Sequence, residues 1–163
     1  MAAAEVLAEV AQAAVGKSMR SKEFLGKLDH DRIVQAIRAV EEKTSGEIRV
    51  FLQRGKLKSD ALPVAQQRFQ RLEMHKTAAR NGVLIFVAPR AQKFAVVGDV
   101  GIHDKCGNDL WQRVVEKMGE HFRNERFSDA LVDAITELGG VLAAHFPRKP
   151  GDANELPDAL IEG

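Results

Sequence analysis

Apolar residues recur at Ile33, Ile37 and Val40, with Val34 and Ala36 broadening the stripe, a spacing that predicts a helix over 29–44 with Asp29 as its N-cap. The period then changes to two. In "SGEIRVFLQ", Ile48, Val50 and Leu52 fall on one side and Arg49 and Phe51 on the other, so a strand is expected from Glu47 to Gln53. A second helix is expected over 60–77, capped by Ser59 or Asp60, with Leu62, Ala65, Phe69 and Leu72 buried and Pro63 tolerated in the first turn. "GVLIFVA" at 82–88 is apolar on both faces, which suits a central strand covered on each side by helices. Residues 90–92 are too few for a crossover, so 93–98 must return antiparallel. The strand at 47–53, joined to 82–88 through a helix, should run parallel to it. Beyond a Gly-rich stretch, Leu110, Val114 and Met118, flanked by Trp111 and Val115, predict a third helix. Ser128 is the expected cap of a fourth, which carries Leu131, Ile135, Leu138 and Leu142 towards Phe146-Pro147. Gly139-Gly140 inside it point to close packing against the sheet. The Ala-rich segment 1–27 reads as a helical extension, 28–147 as a single α/β domain, and 148–163 as a mostly irregular tail.

This topology carries the starts of the first two strands and the end of the third to one rim, where Glu47, Asn81 and Asp99 should meet. Gly46, Gly82, Gly98 and Gly101 allow backbone to approach backbone, or a ligand, at that rim. Asp104 and Asp109 follow closely enough to lean over it. Oxygen donors clustered on loops suit a hard cation such as calcium, with Glu47, Asp99, Asp104 and Asp109 as its ligands and Asn81 beside them. The other reading makes these residues turn formers bonded to backbone, their charge offset by Arg49, Arg80 and Lys105.

At 163 residues the chain is long enough to bury a core without disulfides, and its one cysteine, Cys106, suits a reducing compartment. The formal charge is +1 overall. All 24 Lys and Arg lie between residues 17 and 149, while six of the 23 acids lie outside, leaving that stretch at +7 (24 − 17). The basic residues form no block of five or six, so nucleic acid is not the expected partner. Glu5 and Glu9 interrupt the region where a secretory peptide needs an uncharged core, and no apolar run is long enough to span a bilayer. A soluble, cytoplasmic protein is expected. His103 and Cys106 are two zinc-type ligands where a structural site needs four, and the other histidines are scattered through helices. Cys106 also fails the Cys-x5-Arg phosphate cradle, because position 112 is Gln and Arg113 comes one residue late. Any phosphate hydrolysis would have to run through metal-bound water at the Asp99 rim.

"TSGEIRV" after an amphipathic helix, "NGVLIFVAPRAQKFAVVGDVGI", the tryptophan of "LWQRVVEKM", the phenylalanines of "HFRNERFSDAL" and the closing "HFP…NELPD" together resemble the TPM domain family, over about residues 28–158. The resemblance implies a three-layer α/β/α sandwich around a small mixed β-sheet, and it is to the short, untethered bacterial branch. Relatives are associated with photosystem repair and receptor assembly, some bind calcium through acidic loop residues, and plastid relatives have been ascribed acid phosphatase activity. Tethered relatives carry a "GYGLEG"-like stretch where this chain has "GDVGIHDKCG", so Asp99 replaces an aromatic residue. The expectation is a non-enzymatic binding or assembly module with a protein partner and a calcium site at the rim. The alternative is a metal-dependent, acid-phosphatase-like hydrolase.

Overall fold

The computed structural model of the chain describes residues 5–8, 19–107, 109–149 and 160–163. Helix α1 (Ser21–Gly26) leads into α2 (His30–Glu41), strand β2 (Glu47–Leu52), α3 (Ala61–Arg71) and the hairpin β3 (Gly82–Ala88) and β4 (Lys93–Gly98). Three helices follow: α4 (Val100–Cys106), α5 (Asp109–Arg123) and α6 (Phe127–His145). Two short strands, β1 (Glu5–Ala8) and β5 (Leu160–Glu162), come from the two ends of the chain. They complete one five-stranded sheet in the order β1-β4-β3-β2-β5.

The central pairing is as the pattern predicts. Strands β2 and β3 are parallel with Glu47 opposite Gly82, and β3 and β4 are antiparallel with Val83 opposite Gly98. Both faces of this trio are buried because its side chains alternate between two cores. Ile48, Val50, Val83, Ile85, Phe94 and Val96 join the larger core under α1, α2, α5 and α6. Phe51, Leu84, Phe86, Ala95 and Val97 join the smaller one under α3. The result is the expected α/β/α sandwich. Trp111 is a core residue of the larger side, where Phe24, Phe94, Phe122 and Phe127 pack edge to face or tilted, with ring centroids 5.0–6.3 Å apart. Phe24 thereby ties α1 into the core, and the packed unit begins ahead of the expected boundary at residue 28.

Five local expectations are corrected. Residues 5–8 are a strand, not a helix: the outer edge of β4 offers unpaired backbone groups, and pairing with them overrides alanine's helical preference. Residues 160–162 likewise pair parallel to β2, so the tail is not irregular there; the terminal expectations over 1–4, 9–18 and 150–159 lie outside the described residues. Helix α3 stops at Arg71, short of residue 77, because Glu73 turns left-handed (φ 58°) and a 3₁₀ turn at Met74–Lys76 tucks Met74 beneath Gly82. Ser128 lies inside α6 and does not cap it; its hydroxyl accepts the Asp29 N–H (2.9 Å) just ahead of α2. The neighbouring expectation holds, since the Asp29 side chain accepts from Arg32 N–H and caps α2. In α6, Gly139 packs on α2 and not on the sheet, where an added Cβ would lie 2.2 Å from Val40 Cγ2.

Candidate functional site

The parallel register carries Glu47 and Gly82 to one rim, where Glu47 N–H reaches the Asn81 carbonyl (3.3 Å) and Asp99 N–H the Gly82 carbonyl (3.0 Å). Glu47, Asn81 and Asp99 therefore converge as the topology requires. All three are buried, at 2%, 1% and 0% exposure.

Asp99 is the centre of this rim. It ends β4 in extended backbone and opens α4, accepting the Val100 N–H through Oδ1 (2.8 Å). Arg80 donates to both carboxylate oxygens, Nε to Oδ2 at 2.7 Å and Nη2 to Oδ1 at 2.8 Å, in a bidentate fork. Arg80 adopts a left-handed backbone (φ 53°), costly for a side chain of this size, to present that fork. The hydrogen bond and then the charge of Asp99 raise the Arg80 guanidinium above its ordinary range, with partial burial opposing. Gly101 explains the closeness of the parts: its N–H donates to Arg80 C=O (2.9 Å), and a Cβ there would stand 2.3 Å from the Ala79 carbonyl oxygen. Gly82 does the same for the Met74 carbonyl oxygen, 2.9 Å from where its Cβ would stand, whereas Gly46 makes room chiefly for the Leu142 side chain.

Asn81 is fixed from both ends. Its N–H donates to Thr77 Oγ1 (3.1 Å) and its Nδ2 to Ser45 Oγ (3.1 Å). Glu47 shares its surroundings with Arg49, buried at 6% exposure; burial lowers that guanidinium, while the carboxylates of Glu47 and then Glu41 pull it back up. Asp104 and Asp109 are exposed, on α4 and in the first turn of α5, and are not drawn into these contacts. Among the described residues, no three of the His, Cys, Asp and Glu side chains are grouped to hold a metal ion. Lys105 lies over the Phe146 ring, 5.7 Å from its centroid, so of the three expected basic partners Arg80 is the one that pairs with Asp99. Burial pushes the Cys106 thiol up against the opposing charge of Lys105, which makes it a poor nucleophile at neutral pH.

Sequence reasoning missed helix α4, read as part of a Gly-rich loop, and the buried residues Glu41, Thr44 and Thr77. Thr77, four residues before Asn81, carried a usable signal, since a hydroxyl at that spacing can bond a nearby backbone N–H. Thr44 does the same for Gly46 N–H (3.0 Å) and also donates to the Leu142 carbonyl, joining the approach to β2 with α6.

Residues 19–141 match a family model described as TPM domain. A solved structure, the NMR structure of BA42 from the psychrophilic bacterium Bizionia argentinensis, is 39% identical, with a TM-score of 0.76 over 82% of this chain and 92% of that one. No curated protein matches. No helix among the described residues is long and apolar enough to cross a membrane.

Proposed function

Because this chain belongs to the TPM domain family, and its best-built rim is an ion pair, we propose that it is a non-enzymatic binding or assembly module acting on a protein partner. One observation carries the reading. Both oxygens of Asp99, the acid best placed to hold a metal or a water, are committed to Arg80 and to the Val100 N–H at 0% exposure. A metal or a hydrolytic water would have to displace a bidentate guanidinium and open α4 at its first turn. Metal-assisted hydrolysis needs an accessible carboxylate with an open coordination position, and this carboxylate has neither. On this reading Asp99 has the structural role of joining β3, β4 and α4. The lone Cys106 favours a reducing, cytoplasmic setting.

The test is phosphate release from a generic phosphomonoester by the purified protein, with and without divalent metal, beside thermal melts in millimolar calcium against chelator. Neither turnover nor a calcium-dependent shift is expected. Turnover abolished by Asp99→Asn with the fold intact by circular dichroism would replace this reading with the hydrolase. A calcium shift lost in Asp99→Asn would restore the cation site.

A further inference from the structure

Strand β2 takes its outer cover from a segment far along the chain. Without β5 it would be the edge of the sheet, since the strand order ends β3-β2-β5. The cover is slight. Three residue pairs join the two strands, Val50 to Leu160, Phe51 to Ile161 and Leu52 to Glu162, in the parallel sense that is the weaker of the two pairings. Gly163 extends the ladder by one step, its N–H donating to Leu52 C=O (2.9 Å) and its C=O accepting from Arg54 N–H (2.7 Å). Ile161 is only half-buried against the smaller core.

What β5 covers is nonetheless specific. Helix α3 lies over β4 and β3, so the β2 side of the smaller core is closed by individual side chains and by the β5 segment. Phe51 belongs to that core and stacks beside Phe86, with ring centroids 6.0 Å apart and planes 6° from parallel. The Arg68 guanidinium lies over the Phe51 ring, 5.4 Å from its centroid, and is steadied by the hydrogen bond from Nε to Gln53 Oε1 (3.2 Å). Gly163 closes a further approach: a Cβ there would stand 2.5 Å from Phe51 Cζ and 3.1 Å from Cε2. A ring packed against Phe86 and under Arg68 has little room to retreat from such a contact. Phe51 is thereby kept to 5% exposure beside a sheet edge. The edge accepts an extended segment of defined chemistry, parallel to β2, apolar at the position of Ile161 and glycine two residues later.

We propose that β5 is a displaceable strand, and that the protein partner docks by laying an extended segment of that chemistry along β2 in its place. Strand addition supplies backbone hydrogen bonds for affinity and alternate side chains for specificity. The acceptor is firm where the occupant is not, because β2 is joined to β3 on its other side by six residue pairs. The exchange is like for like, since uncovering Phe51 with nothing in return would expose the apolar margin of the smaller core. This inference rests on the protein-binding role assigned above and adds to it the form of the partner.

The probe is the hexapeptide Asp-Ala-Leu-Ile-Glu-Gly, identical to residues 158–163, titrated into the isotope-labelled full chain and followed by NMR. Wild type should bind it weakly, because its own β5 competes. Two full-length variants loosen β5 in different ways, Ile161→Asp by removing its apolar contact and Gly163→Val by driving a side chain against Phe51. Both should bind the peptide at least roughly tenfold more tightly, as follows when a competing state holding about nine-tenths or more of the molecules is removed. The shifts should centre on the amides of Val50 to Arg54. A peptide with valine in place of its glycine should lose that affinity, and so should one with aspartate in place of its isoleucine. No binding to either loosened variant, equal binding of the glycine and valine peptides, or shifts centred elsewhere would each overturn the proposal. A wild-type dimer, seen by light scattering and abolished in both variants, would overturn it too by assigning the edge to a second copy. Phosphate turnover at the Asp99 rim would remove the protein-binding role while leaving peptide binding at β2 unchanged, and a failed titration would leave the rim result unchanged, so the two failures are told apart.

Discussion

Arg80 and Asp99 are unequal partners, because the carboxylate is fully buried while the guanidinium side chain keeps 34% of its exposure. Arg80→Ala leaves a buried carboxylate without its counter-charge and should cost about 3 kcal/mol. Asp99→Asn leaves an arginine that can turn to water, and should cost nearer ~1 kcal/mol. Urea unfolding of the two variants measures the order; the reverse order would mean that the unpaired buried carboxylate is not the costlier loss at this site. Residue identities here were only partly legible from the sequence. Asp29 announced itself as a cap because an unambiguous apolar stripe follows it. Asp99 did not, because Gly101 sits in the first turn of α4 and suppresses the helical signal that would have marked it. That same glycine is required by the Ala79 and Arg80 carbonyls, so tertiary packing selected the residue that hid the helix.

At the level of the element, the two adjacent glycines of α6 have opposite roles. Gly139 faces Val40 of α2 with no room for a methyl group, whereas an added Cβ at Gly140 would meet nothing within 4 Å. Gly139→Ala should destabilise by about 1–3 kcal/mol through overpacking, and Val40→Ala in the same chain should recover part of that loss. Gly140→Ala should stabilise by up to about 1 kcal/mol, since a helix-interior glycine gives way to the best helix former. Thermal melts of the three variants check the signs. Periodicity located α2, α5 and α6 and the three central strands because each buries a long, regular apolar face. It failed at β1 and β5, whose four and three residues are held by backbone pairing to a sheet edge, a partner that no local pattern reveals. It also could not say which neighbour the glycines of α6 meet, because spacing places a face without naming what lies opposite.

For the whole molecule, α6 is tied to its neighbours by ion pairs: Arg32 on α2 to Asp129, and Arg113 and Lys117 on α5 to Glu137. The hydrogen bond from Arg32 leads in holding the Asp129 carboxyl below its ordinary 3.8. Burial raises Glu137, but the bonds from Arg113 and Lys117 outweigh it and leave that carboxyl below its ordinary 4.5. A depressed carboxyl stabilises the fold above its unfolded value, and that contribution is lost as pH falls through the folded one. Both groups reach water, so the effect is modest. Glu137→Gln should melt below the wild type at neutral pH, and the gap should close as pH falls through the folded Glu137 value, which lies below 4.5; a difference unchanged in acid would show packing, not charge, at work. The sandwich itself was legible because strands apolar on both faces need covers on both sides. The sheet order β1-β4-β3-β2-β5 also prescribes an order of assembly. The β3–β4 hairpin closes over four residues, β2 can join only after the chain has crossed over through α3, and the outermost strands must return from opposite ends of the sequence. Loop-closure entropy makes the hairpin the natural nucleus and the edges the last to form and first to open. Amide protons of β3 and β4 should therefore exchange slowest, and those of β1 and β5 at rates set by local fraying and not by global unfolding.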